Sequence, residues 1–263
     1  MVLQTSAQAE MMKQSSRVIF VDATHGITAY GYYLLSMVVL DRHGHGLVVG
    51  WAISSKENHH TWMLMGKHLR PEALNSKPEV MMADDNNSAW NGLTTVWPTL
   101  RHKLLCHWHV MKNVRERCGN RGSLKKSKVN DGTNSAKCVS ITTETFGTPT
   151  WELFYIMMKE TNEESFRHQL KLFRSGLRTH GQLTLLEYFE TTYFREDRIV
   201  QWACWFRRQM YDCDWLADTN MHIESWHNFF KTFILHRKSN VRVDTLIKAL
   251  MKAEKTCYRE SYV

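Results

Sequence analysis

The chain has 263 residues, enough for one large domain or two smaller ones, and its 43% hydrophobic content with 10 Trp, 11 Phe and 14 Met excludes global disorder. Only 4 Pro and 13 Gly exclude a fibrous or loop-rich chain. The net charge of +8 is local: nine Lys/Arg face one acid, Glu116, between Arg101 and Asn130, and the remaining charges balance. Such a patch suits a polyanion, nucleic acid foremost, or else is a solvated basic loop. Six Cys form no C-x-x-C pair, which points to a reducing intracellular setting rather than a disulfide scaffold. No apolar run reaches the ~18 residues of a membrane span, and the N-terminus lacks the apolar core of a secretory signal.

Residues 1–16 are polar and read as helical or frayed. Val18-Ile19-Phe20-Val21 is a β-type run that ends in Asp22. Tyr30–Leu40 and Leu47–Ile53 are two further strands, and the short Gly-containing turn from Arg42 to Gly46 makes them an antiparallel hairpin. Residues 58–70 read as a helix, with Trp62, Met65 and Leu69 at spacings of three and four. Val80-Met81-Met82-Ala83 is another buried strand, and it ends in Asp84. A helix follows and stops near Pro98; Leu104-Leu105-Cys106 is a last short strand, leading into His107-Trp108-His109 and a basic helix.

These elements predict an α/β fold in which residues 17–118 supply the first part of a core. Residues 119–150, rich in Gly, Ser, Thr, Asn and Lys, read as a flexible basic linker. Residues 151–218 turn helical, and their aromatics (Tyr188, Phe189, Tyr193, Phe194, Trp202, Trp205, Phe206) are expected in a core rather than as nucleobase platforms. Residues 219–240 hold a further helix with Thr219 or Asn220 as N-cap and Ile223, Trp226, Phe230 and Phe233 as its buried stripe. Residues 241–263 contain a final helix with Leu246, Leu250 and Ala253 inward.

Three acids stand out by context. Asp22 and Asp84 sit where buried strands end, which is where ligand sites of open α/β sheets gather, and Glu224 lies in the first turn of a helix at the border of its buried stripe. Clustered carboxylates repel one another, and a divalent cation reverses that penalty. Hard Mg²⁺ takes a few carboxylates plus water and phosphate oxygens, and two such ions about 4 Å apart clamp both oxygens of an in-line phosphoryl transfer.

Four pieces of sequence, VIFVDATHG around Asp22, VMMADDNNSAWNGLTTVWP around Asp84, LCHWHVMKN, and TNMHIESWHNFFK around Glu224, together resemble the transposase domain of Mutator-like elements. That family is of the DDE type with a ribonuclease H-like fold, a mixed sheet with helices on both faces. The resemblance implies Asp22, Asp84 and Glu224 as catalytic and metal-binding residues, with Mg²⁺ or Mn²⁺ as two ions. It also implies a helical insertion ahead of the glutamate. The implied activity is metal-dependent cleavage and strand transfer of DNA, with transposon ends and target DNA as partners, a nuclear location and no membrane. Homo-oligomerisation stays open, as does the alternative of a recruited or truncated relative that binds DNA without catalysis.

In this reading Lys112, Arg115, Arg117, Arg121, Lys125, Lys126 and Lys128 form the DNA-contacting patch. Cys106, His107 and His109 crowd three potential zinc ligands into four residues but lack the usual second pair, so the C-x-x-H pair of Cys106 and His109 is assigned a structural or site-proximal role. His227, one turn after Glu224, is the best candidate for supporting the acids. Asp85 is the competing ligand beside Asp84, and Asp84 is preferred because it directly follows the apolar run.

Overall fold

The computed structural model describes residues 1–14, 17–41, 43–69, 78–119, 148–210 and 218–261. It divides into two compact units, Met1–Cys106 with Thr219–Val263, and His107–Asp218.

In the first unit, the described residues form a six-stranded mixed sheet in the order β1-β4-β3-β2-β5-β6. The strands are β1 (Val2–Leu3), β2 (Val18–Thr24), β3 (Tyr33–Leu40), β4 (Gly46–Ser54), β5 (Val80–Ala83) and β6 (His102–Leu105). β3 is antiparallel to both β2 and β4, whereas β5 is parallel to both β2 and β6. The β3–β4 hairpin is present as expected, closed by Asp41, whose carboxylate accepts the amides of His43 and His45 at 2.8 Å each. β3 begins at Tyr33 rather than Tyr30. Gly31 adopts a positive φ of 67° and its amide bonds back to Thr28, so Thr28–Tyr32 is a turn. β1, too short to show a period in the sequence, adds an antiparallel edge to β4.

Alternation along each strand sends side chains to two faces. One face carries Ile19, Val21, Leu35, Met37, Val39, Met81 and Ala83, covered by α1 (Ser6–Gln14), α2 (His59–His68) and α3 (Asn87–Val96) through Met12, Trp62, Met65 and Leu93. Each fully buried side chain of this kind contributes about 1.5–3 kcal/mol. α2 and α3 pack closely because both present glycine at the crossing: a Cβ at Gly92 would stand 2.3 Å from the His59 carbonyl, and one at Gly66 would stand 2.6 Å from Val96.

The other face, with Phe20, Ser36 and Trp51, receives α10 (Met221–Phe229). The Trp51 and Trp226 rings lie 5.9 Å apart, and His222 meets the edge of Phe20 at 5.4 Å. The helix does not continue regularly. Phe230–Ile234 is a π-helical turn, closed by the Leu235 amide on the Phe230 carbonyl at 2.9 Å. One extra residue in the turn rotates the positions beyond it about the helix axis. Phe233, expected in the buried stripe, is 64% exposed, and Leu235 takes its place at 5%. The closing helix α11 (Val243–Ser261) buries Leu246, Leu250 and Ala253 as expected.

The second unit holds α4 (His107–Arg117), α5 (Thr150–Lys159), α6 (Glu163–Thr179), α7 (Leu183–Thr192), α8 (Glu196–Trp202) and α9 (Cys204–Met210). Phe154 centres its core, stacked on Trp202 at 4.9 Å and on Phe189 at 5.3 Å, with Phe173 edge-on to Phe189 at 5.1 Å. Phe189, Tyr193, Phe194, Trp202 and Trp205 are buried, so these aromatics are core.

The π-helical turn gives a direct test. Leu235→Ala is expected to cost about 2–5 kcal/mol in denaturant unfolding, while Phe233→Ala stays within about 0.5 kcal/mol. The reverse ranking would place Phe233, not Leu235, in the core.

Candidate active site

Asp22 and Asp84 are brought together by strand register. β2 and β5 pair in parallel from Val18 opposite Val80 to Phe20 opposite Met82, and Asp22 and Asp84 each lie two residues past that last pair. Asp84 directly follows β5 and Asp22 lies in the last half of β2; adjacent strands lie about 4.8 Å apart, so the two acids sit toward the carboxyl ends of neighbouring interior strands. Asp22 is half-buried; its Oδ1 accepts the Ala23 amide at 2.9 Å, and its Oδ2 lies 3.4 Å from His227 Nδ1. Asp84 starts a tight turn, with Oδ1 accepting the Asn86 amide at 3.0 Å. Buried Lys103 ties down the same turn, donating to the carbonyls of Asp85 (3.3 Å) and Asn86 (3.1 Å) and to Asn87 Oδ1 (2.9 Å). Lys103 therefore belongs to the interior and adds nothing to the surface patch its sequence neighbours suggest.

Glu224 stands in the first turn of α10, as expected. Two polar staples bracket it. Four residues earlier, Asn220 is wholly buried. Its Nδ2 donates to the Val21 carbonyl at 3.2 Å and its backbone amide donates to Cys106 Sγ at 3.2 Å. Asparagine at an N-cap ordinarily accepts a bond from its own helix through its side-chain oxygen; Asn220 occupies the N-cap of α10 but makes no such bond, and its Nδ2 is turned to β2. Three residues after Glu224, buried His227 reaches Ser36 Oγ at 3.0 Å through Nε2. Ser36 is the cross-strand neighbour of Asp22. The third acid is thus carried by a helix fastened on one side to β2, through Val21, and on the other to β3, through Ser36.

A fourth carboxylate joins them. Glu57, in the turn before α2, has its pKa raised by burial and by the negative charges of Asp84 and Asp22. The close approach of Gly92 to His59 brings this turn toward the start of α3. Glu57 carries no periodic or strand-end signal in the sequence; only the α2–α3 crossing reveals it. Burial lowers the pKa of Lys231, two turns after Glu224, and the charge of Asp22 offsets part of that effect. Mutually repelling, oxygen-only donors open to water fit a hard divalent cation. The sets of three potential ligands within 4.8 Å of one another among the described residues do not include Asp22 or Asp84.

The other expected residues are spread over both units. Cys106 is buried where β6 ends, and His109 lies half-buried on α4 of the second unit. Exposed Lys112, Arg115 and Arg117 project from α4 and lie over Trp108 (5.5 Å), Trp151 (4.6 Å) and Tyr188 (5.0 Å). Arg121, Lys125, Lys126 and Lys128 lie outside the described residues.

The second unit contains another polar cluster that sequence reasoning missed, formed by His107, Cys204 and Asp218. It is not a metal centre. Lys159 pairs with Asp218 Oδ2, and Arg207 lies 3.7 Å from Oδ1, so two cations already hold the carboxylate. Burial and the Asp218 charge push the Cys204 thiol up to about 11, away from the thiolate a metal needs. His107 donates Nε2–H to the Trp202 carbonyl at 2.6 Å; burial, then the Arg207 charge, holds its pKa well below the usual histidine value. Burial alone would raise the Asp218 carboxyl, but His107, Lys159 and Arg207 outweigh it and hold it low.

Two outcomes are expected. Asn220→Ala strands the Val21 carbonyl and should cost about 1–3 kcal/mol in urea unfolding of the first unit; a negligible cost would mean the clamp is idle. Below about pH 6.5 the unfolded chain binds a proton that folded His107 refuses, so the second unit should weaken from pH 7 to 5. A further loss follows as the pH falls below the ordinary carboxylate value near ~3.9 and Asp218 protonates. Hydrogen exchange of α4–α9 amides reads this directly, and His107→Gln should flatten the change between pH 7 and 5.

None of the curated proteins matches the chain. Residues 18–113 match the family model described as the MULE transposase domain. That span runs from the first residue of β2 into α4 and contains Asp22, Glu57 and Asp84, whereas Glu224 lies beyond it.

Proposed function

We propose that the chain is the catalytic domain of a DDE-type transposase with a ribonuclease H-like core, cutting and joining DNA strands by phosphoryl transfer. The observation that carries this reading is the placement of Asp22 and Asp84 toward the carboxyl ends of adjacent parallel strands, inside the matched segment. The sheet order supports it: three antiparallel strands, β4-β3-β2, followed by parallel β5 and β6, with helices on both faces.

Asp22, Asp84 and Glu224 would hold Mg²⁺ or Mn²⁺, as two ions. Bound there, the cations would activate the attacking hydroxyl and neutralise charge on the leaving oxygen. The protein's part is to fix the acids. Lys103 and the Asp84 turn hold one, His227 and the Ala23 amide hold another, and the Asn220 clamp sets the helix of the third. Glu57 adds negative charge to the same pocket, which raises its demand for a cation. Lys112, Arg115 and Arg117 offer positive charge for the phosphate backbone, and transposon ends and target DNA are the partners this reading implies.

Asp22→Asn, Asp84→Asn and Glu224→Gln are each expected to reduce Mg²⁺- or Mn²⁺-dependent nicking of plasmid DNA to background with an unchanged circular dichroism spectrum. Wild-type nicking by all three variants would sink the assignment. Reversing Lys112, Arg115 and Arg117 to Glu should lower the slope of log K against log salt by roughly 0.9 for each phosphate the variant no longer neutralises. An unchanged slope would move the DNA path elsewhere.

A further inference from the structure

The geometry points to His227 as a positioning residue for Asp22, held in one tautomer by Ser36. Asp22 is acceptor-only when ionised, so the ring nitrogen facing it, Nδ1 at 3.4 Å, must carry the hydrogen for the contact to be favourable. The other nitrogen, Nε2, then accepts, and the Ser36 hydroxyl at 3.0 Å donates to it. Ser36 is wholly buried and His227 is 6% exposed, so neither partner can be replaced by water without opening the sheet–helix interface.

The connectivity Ser36–His227–Asp22 is that of a hydrolase triad, but the burial of Ser36 rules out that chemistry, since no substrate reaches its hydroxyl. What the relay can do is orient. Asp22 Oδ1 is fixed by the Ala23 amide and Oδ2 faces the imidazole, which sets the rotation of the carboxylate. Because His227 follows Glu224 by one turn, the same ring that turns Asp22 also fastens the helix bearing Glu224. His227 thereby couples the direction of one acid to the position of another. This coupling bears on chemistry through the reading of Asp22 as a metal ligand, since partners that orient a ligand tune metal affinity about 10–100-fold.

Two measurements on the whole chain test the relay. In metal-free protein, long-range ¹H–¹⁵N correlation of the imidazole is expected to show His227 with its proton on Nδ1, and Asp22→Asn to change that signature. A proton on Nε2, or a signature indifferent to Asp22→Asn, overturns the relay. In the second arm, Mn²⁺ binding is followed by titration calorimetry. His227→Ala should weaken it about 10–100-fold. His227→Asn, whose amide can stand in for Nδ1–H, should recover most of the affinity, and Ser36→Ala should give a smaller decrease in the same direction. Wild-type affinity in a folded His227→Ala protein overturns the proposal. If wild-type protein binds no Mn²⁺, the metal site itself fails, and the tautomer measurement alone then decides for or against the relay.

Discussion

One buried amide sets the geometry on which the rest depends. Asn220 sits with no solvent exposure between the end of β2 and the end of β6, donating its side chain to Val21 and its backbone to Cys106. A buried polar group without partners costs about 1–3 kcal/mol, so this residue cannot drift. At the N-cap of α10 it makes no side-chain bond to the helix and instead joins strand to helix. Everything the candidate site needs from α10 depends on that joint, because Glu224 is one turn away and His227 two.

The acids are positioned by three different physical routes. Asp22 and Asp84 meet through backbone register, which is insensitive to side-chain detail and is set by the β2–β5 ladder. Glu224 arrives through polar contacts with discrete donors and acceptors. Glu57 arrives through close packing of α2 on α3, permitted by Gly66 and Gly92. The outcome is a pocket of repelling carboxylates, where Glu57 has its pKa raised by burial and by its neighbours' charge.

The sequence disclosed those features that leave a local trace. Apolar runs ending in an acid marked β2 and β5, and three- and four-residue spacing marked α2, α6, α10 and α11. His227 was legible as the residue one turn past Glu224. What escaped lacked such a trace. β1 is two residues long, and Gly31 breaks the Tyr30–Leu40 run at a turn. Phe233 obeyed helical spacing in the sequence, but the π-helical turn shifted the phase and put Leu235 inside. Glu57 and the His107–Asp218 cluster exist only through tertiary contact. Lys103 reads as part of a basic stretch, yet it is buried and spends its charge on loop carbonyls.

The Asn220–Cys106 contact has a topological consequence. The polypeptide leaves the sheet unit after Cys106 and rejoins it at Thr219, and the two junctions are hydrogen-bonded neighbours. The helical unit is likewise closed at its base by the His107 amide on the Asp218 carbonyl at 2.9 Å. A segment whose two ends emerge side by side imposes no span on its host, so its length is nearly invisible to the sheet. Loop-closure entropy grows only logarithmically, about 0.6 kcal/mol per doubling. Evolution could therefore lengthen, shorten or exchange this segment at little cost to the sheet.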